Sequence, residues 1–190
     1  MAETAASASS GDSATSRAHL ARMALVVLGL AAGFALVPRA TQGCGKATAT
    51  EEAPDFTANI VANPIEPGQT KLDMGKLRGH PVVLDFWATW CGPCQAEAPI
   101  VNGLSQRFKD KGLVVVGVNT SDVDGLAAKF AAKKNLSFPI VYDAENTIAN
   151  KYRVDNLPTL IVVSKDGKMV AVRHGVTSDA DLERLVRQVL

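Results

Sequence analysis

Two cysteines with two residues between them, in Trp90-Cys91-Gly92-Pro93-Cys94, sit where an apolar run gives way to a stretch of helix formers. Pro81-Val82-Val83-Leu84-Asp85-Phe86-Trp87 reads as a buried strand, and Gln95 to Phe108 reads as a helix. Cys91 is thereby placed at a helix N-terminus, where backbone N–H groups lack partners and the peptide dipoles leave partial positive charge. Such a position favours the thiolate, bringing a cysteine pKa from about 8.5 to roughly 3.5–7.5. Cys94 lies one turn further along the same face and can resolve a mixed disulfide formed at Cys91. Pro93 falls in the first helical turn, where its missing N–H costs nothing. The pattern points to thiol–disulfide exchange.

Rival readings of the pair are weaker. A structural zinc site needs about four ligands, and Cys44, His80 and His174 stand too far apart in the sequence to supply a second pair. No metal or cofactor is expected. A purely structural disulfide would close too short a loop to stabilise the chain by much. A formal net charge of +1 gives no electrostatic reason to expect nucleic acid as a partner.

The chain divides by composition. Residues 1–22 open with Ala, Ser and Thr and show no periodic apolar face, so they are expected to be a disordered N-terminal segment. Residues 23–37 carry no charge and follow Arg17, His19 and Arg22. The length of this run falls between a signal-peptide core, roughly 7–15 residues, and a spanning helix, roughly 17–25. Val37-Pro38-Arg39-Ala40 is a poor cleavage site. An uncleaved single anchor is expected, with the following domain on the extracytoplasmic (periplasmic) side. A cleaved, secreted form and a lipoprotein processed at Thr41-Gln42-Gly43-Cys44 stand as alternatives. Residues 38–51 read as a flexible tether.

Residues 52–190 alternate strand-like and helix-like runs and suffice for one α/β domain. The expected strands are Asp55–Val61, Val82–Phe86, Leu113–Val118, Phe138–Tyr142, Thr159–Val163 and Met169–Arg173. Lys165-Asp166-Gly167 signals a hairpin between the last two. Met74–Leu77 reads as a short helical turn. A helix capped by Ser121 is expected to run to Lys134, another from Glu145 to Tyr152, and a last one to open at Thr177 or Ser178. Val82–Phe86, the following helix and Leu113–Val118 should form a parallel, right-handed unit.

With these motifs in hand, residues 52–190 resemble the membrane-anchored, thioredoxin-like thiol:disulfide oxidoreductases of the TlpA/ResA type. The resemblance runs through Ala53-Pro54-Asp55-Phe56, Leu77-Arg78-Gly79-His80-Pro81, Phe86-Trp87-Ala88-Thr89-Trp90-Cys91 and Leu157-Pro158-Thr159. It implies a thioredoxin fold with a central mixed β-sheet flanked by helices, and an extra strand and helix between Asn119 and about Asp143. It further implies Cys91 as attacking and Cys94 as resolving thiol, with Asp85 and Glu97 as acids near Cys94. Asp85 matches the buried acid of thioredoxins, and its alternative is a strand-end Asp with local hydrogen bonds. Glu97 has the alternative of an ordinary acid in an exposed first helical turn. Pro158 matches a cis proline facing the dithiol, although Asn156-Leu157 departs from the Gly often found two before it. Substrate contacts are implied at Trp90, Gly92, Pro93, Leu157 and Pro158. Trp87 and Trp90 read as packing residues, with Trp90 bordering an exposed Cys91 sulfur, and Pro99 should kink the active-site helix.

The function implied is reduction of protein disulfides outside the cytoplasm, fed by a membrane electron donor, with cytochrome c maturation as a task common in the family. Gly92-Pro93 and Asp85 resemble reducing thioredoxins, whose potential near −270 mV lies well below the roughly −120 mV of a strong oxidant. A thiol oxidase or isomerase is the first alternative. A copper chaperone would need cysteines spaced three apart with a partner histidine, and a related peroxidase would need Thr where Ala88 stands.

Overall fold

A computed structural model describes residues 51–190. The expected terminal segment 1–22, apolar segment 23–37 and Cys44 lie outside the described residues, as does the tether 38–51 except for its last residue. Seven strands make one mixed sheet in the order β2-β1-β5-β4-β3-β6-β7. They are β1 (Thr57–Ala62), β2 (Lys71–Asp73), β3 (Val82–Trp87), β4 (Val114–Thr120), β5 (Ile140–Asp143), β6 (Thr159–Val163) and β7 (Met169–His174). The helices are α1 (Gly92–Phe108), α2 (Leu126–Lys134), α3 (Thr147–Lys151) and α4 (Asp179–Arg187), with 3-10 turns at Met74–Leu77 and Lys109–Lys111.

All six residues of β3 are buried, as a strand covered on both faces must be. It runs parallel to β4, from Val82↔Val114 to Trp87↔Asn119, and antiparallel to β6, from Val82↔Val163 to Phe86↔Thr159. The parallel β3-α1-β4 unit is therefore as the apolar runs implied. The strand and helix expected between Asn119 and Asp143 are α2 and β5. β5 lies between β4, which it meets parallel, and β1, which it meets antiparallel.

Alternation along β3 feeds two cores. Val83 and Trp87 join Cys91, Cys94, Ala98, Val101 and Leu104 of the α1 side with Leu182 and Val186 of α4. Val82, Leu84 and Phe86 turn to the opposite face, with Phe56, Leu72, Ile148 and Tyr152. Asp85 shares the parity of Val83 and Trp87, so it points to the face that α1 covers.

Several sequence expectations need correction, and α1 itself starts at Gly92, ahead of the expected Gln95. The helix expected to start at Ser121 begins at Leu126, preceded by Gly125 at φ 78°, and Ser121 itself has φ 54°. A turn occupies the interval, and the Asp122 carboxylate within it accepts the N–H and hydroxyl of Thr89. β2 was not anticipated, since three residues with a charge at either end carry no periodicity to read, and only Leu72 is buried. The helix expected over Glu145–Tyr152 is the shorter α3, Thr147–Lys151, with Asn146 at φ 56° before it. Strand ends elsewhere move by one or two residues. At the far end of the sheet, the hairpin turn needs Gly167: at φ 82°, a Cβ there would lie 1.3 Å from Arg78 Nη1.

Candidate active site

The C-terminal end of β3 delivers the chain into the turn Ala88–Cys91, and α1 begins at Gly92. Cys91 is the N-cap of α1, and its Sγ accepts a hydrogen bond from the Cys94 N–H at 3.2 Å. Cys91 and Cys94 are joined as a disulfide, with Cα atoms 5.3 Å apart. Pro93 occupies the first turn, and the helix continues without interruption through Pro99 to Phe108.

Both cysteines are 4% exposed, while Gly92, Pro93 and Trp90 beside them are open to solvent. This revises the picture of an exposed Cys91 sulfur: in the disulfide state both cysteines are buried. Trp90 is 66% exposed and its Nε1–H donates to the Ser121 carbonyl at 2.8 Å. Trp87 is the packing tryptophan, buried with its ring centroid 5.0 Å from that of Phe130.

The Phe86↔Thr159 pairing places Pro158 at the end of β3 that leads to the dithiol. The Leu157–Pro158 bond is cis, and Pro158 is buried. Its carbonyl accepts from the Gly175 N–H at 2.9 Å. Leu157 is half-buried and touches both cores. Together with Trp90, Ser121, Asn146, Asn150 and Asn156 it lines a groove of about 210 Å³.

Two acids stand on the α1 side of the sheet. Burial holds the Asp85 carboxyl well above the usual carboxylate range, and the nearby charge of Glu97 pushes it further the same way. Glu97 is 1% exposed, so the reading of it as an ordinary surface acid is overturned. It lies on the buried stripe of α1 with Cys94, Ala98 and Val101. Its Oε1 accepts the Thr177 N–H at 2.6 Å, while Oε2 is buried with no hydrogen-bond partner among the described residues. Burial raises its pKa, and the bonds from Thr177 oppose that rise.

An AhpC/TSA family profile matches residues 49–172 of this sequence. The chain belongs to the AhpC/TSA family. Within this thioredoxin-like family its similarity is to disulfide-exchanging members. The thiol-disulfide oxidoreductase ResA of Bacillus thuringiensis is 30% identical over 165 residues, covering 87% of this chain and 92% of that protein. A Chlorobium tepidum thiol:disulfide interchange protein, provisionally named DsbE, superposes with a TM-score of 0.67 at 29% identity. The match covers 74% of this chain and 96% of that one. A secreted disulfide oxidoreductase of Mycobacterium tuberculosis, homologous to DsbE of E. coli, gives 0.61 at 28% identity, covering 70% and 95%. This AhpC/TSA member is accordingly a thiol:disulfide oxidoreductase of the ResA/DsbE type, with its Cys-X-X-Cys pair at 91 and 94.

One contributor to the site has no signal in the sequence. Asp122, within the inserted segment, accepts the Thr89 N–H at 2.6 Å and the Thr89 hydroxyl at 2.9 Å. No local pattern around Ser121-Asp122-Val123 announces a partner thirty-three residues earlier.

Proposed function

We propose that this protein reduces disulfides in other proteins outside the cytoplasm, tethered by residues 23–37 and recharged by a membrane electron donor. The observation that carries the chemistry is the Cys94 N–H donated to Cys91 Sγ at the start of α1. The same donor and the helix dipole stabilise a thiolate at Cys91 once the pair is reduced. That thiolate attacks one sulfur of a substrate disulfide and forms a mixed disulfide, and the other substrate sulfur leaves as a thiolate. Cys94 then attacks Cys91 Sγ, closing the 91–94 disulfide and releasing the second substrate sulfur as a thiolate. Two electrons pass to the substrate, and the donor restores the dithiol.

Asp85 is proposed to take the proton that Cys94 loses as it becomes a nucleophile, because a carboxyl held high by burial is matched to a thiol. Glu97 acts on the same proton through its charge on Asp85. Substrate is proposed to lie along Leu157-Pro158 and against Trp90, Gly92 and Pro93. The exposure of Trp90 and the groove it shares with Leu157 support this placement. The uncharged run before the domain and the secreted nature of the M. tuberculosis relative support an extracytoplasmic address. Keeping haem-attachment cysteines reduced during cytochrome c maturation is the task we assign to it.

Alkylation trapping in intact cells tests direction and address together. A membrane-impermeant maleimide applied to growing cells should label Cys91, and a second maleimide added after acid quenching and unfolding should label Cys94, showing a mostly reduced pair outside the cytoplasm. A mostly oxidised pair would instead mark a thiol oxidase, and labelling only after lysis would place the domain in the cytoplasm.

A further inference from the structure

The turn that presents Cys91 belongs neither to β3 nor to α1, and what shapes it comes from the inserted segment. Asp122 Oδ2 accepts the Thr89 N–H at 2.6 Å and the Asn119 side-chain amide at 2.9 Å. Its Oδ1 accepts the Thr89 hydroxyl at 2.9 Å and the Val123 N–H at 2.8 Å. The neighbouring Ser121 carbonyl takes the Trp90 indole N–H at 2.8 Å. Ser121 is itself held in its left-handed conformation by Asn146 Oδ1, which accepts its N–H at 2.7 Å and its hydroxyl at 3.0 Å. The Tyr142 hydroxyl donates to the Asp122 carbonyl at 3.0 Å, and Gln95 of α1 donates to the Thr89 carbonyl at 2.8 Å. Burial pushes the Asp122 carboxyl up, but its donors more than offset this and hold it below the usual range. It is therefore an ionised acceptor, and hydrogen bonds to it are of the stronger, charge-assisted kind.

We propose that Asp122 is a positioning residue for protein substrates: it clamps the Thr89–Trp90 turn onto the inserted segment and so holds the Trp90 indole at the edge of the groove. Two adjacent residues on each side are joined, Thr89 to Asp122 and Trp90 to Ser121. An indole that is 66% exposed is thereby kept in one orientation instead of being free to turn in water. Preorganising an exposed aromatic contact reduces the ordering cost when a partner binds. A protein disulfide must pass this rim to reach Cys91. A small disulfide needs only the sulfur. Asp122 should therefore govern saturation by protein substrates and leave the intrinsic exchange chemistry alone. The inference rests on the protein-reductase reading above.

The test uses the full-length chain, reduced beforehand, as wild type and as Asp122→Asn, Asp122→Ala and Thr89→Val. Single-turnover oxidation is followed over a range of concentrations of insulin and of a small aromatic disulfide. Asp122→Asn preserves shape but turns an amide toward the donors of Thr89 or Asn119. Thr89→Val removes only the hydroxyl bond and leaves Asp122 in place, so it serves should Asp122→Ala fail to fold. The half-saturating insulin concentration should rise about tenfold in Asp122→Asn, corresponding to about 1.4 kcal/mol of binding, and in the same direction but less in Thr89→Val. Maximal rates and the small-disulfide reaction should stay within about twofold, well inside the 1.4 kcal/mol that a tenfold change represents. Unchanged insulin saturation in Asp122→Asn and Thr89→Val, with wild type active, overturns the proposal. Equal losses on both substrates also overturn it, since they report general damage to the dithiol. Wild type inactive on both substrates would instead reject the reductase reading itself.

Discussion

The Glu97 carboxylate accepts the Thr177 N–H at 2.6 Å, joining the early turns of α1 to the loop that opens α4. One buried side chain thus ties the active-site helix to a segment eighty residues later in the chain. The two roles separate by substitution. Glu97→Gln keeps an Oε1 acceptor for Thr177 and removes the charge, so it should fold with near wild-type stability. It should also shift the pH dependence of Cys94 attack downward, because the Asp85 carboxyl loses a neighbour that raises its pKa. Glu97→Ala leaves the Thr177 N–H buried and unpaired, and should cost about 1–3 kcal/mol in urea unfolding. Similar stability losses in both variants would contradict this division.

Asp85 makes stability depend on pH with a definite sign. Its native pKa lies above the unfolded value of about 4. Between those two values the native state holds a proton that the unfolded chain has lost, so the stability present below about pH 4 falls as pH rises through the window. Asp85→Asn should flatten this slope, leaving only the smaller share from Glu97, and should be more stable than wild type above the window. Urea titrations of the oxidised protein from pH 4 to 9 read this directly, and parallel slopes for the two proteins would refute it.

Gly117 pairs with Asp85 in the neighbouring strand and has no room for a methyl group. A Cβ there would lie 2.9 Å from Phe138, 3.0 Å from Trp87 Nε1 and 3.3 Å from Ile140. Gly117→Ala should destabilise by about 1–3 kcal/mol through overpacking. The change should appear in thermal melts together with altered near-ultraviolet dichroism from Trp87. A variant as stable as wild type would show that the ring can move aside.

Ser178 is the N-cap of α4: its hydroxyl accepts the Asp181 N–H at 3.2 Å and donates to the Asp181 carboxylate at 2.8 Å. Ser178→Ala should cost about 1 kcal/mol. Ser178→Thr should restore most of it, because its hydroxyl can both accept the Asp181 N–H and donate to the Asp181 carboxylate. Chemical denaturation of the three proteins checks the order, and Ser178→Thr less stable than Ser178→Ala would reverse it.

What the sequence made legible was whatever rests on local pattern. The apolar run ending at Trp87 and the helix formers after Cys94 announced β3 and α1, and Lys165-Asp166-Gly167 announced the β6–β7 hairpin. Ser178 capped its helix as its residue type suggested. What stayed hidden depends on partners far along the chain. β2 exists because Thr57, Ala58 and Asn59 pair with it. The i, i+3 spacing put Glu97 on the face of Cys94, but only Thr177, eighty residues on, explains its burial. Ser121 looked like a cap because its residue type is a good one. In the fold, Asn146 binds its hydroxyl and Asp122 turns its carboxylate toward Thr89, so the helix waits until Leu126.

The central claim is that Cys91 attacks and Cys94 resolves. It is tested most directly by mixing reduced Cys91→Ser and Cys94→Ser proteins, each also carrying Cys44→Ser to remove the third thiol, with a disulfide-bonded protein substrate and weighing the products by intact-mass spectrometry. Cys94→Ser should accumulate as a stable mixed disulfide through Cys91, and Cys91→Ser should neither trap substrate nor reduce it. Trapping by Cys91→Ser, or disulfide reduction surviving in it, would contradict the account.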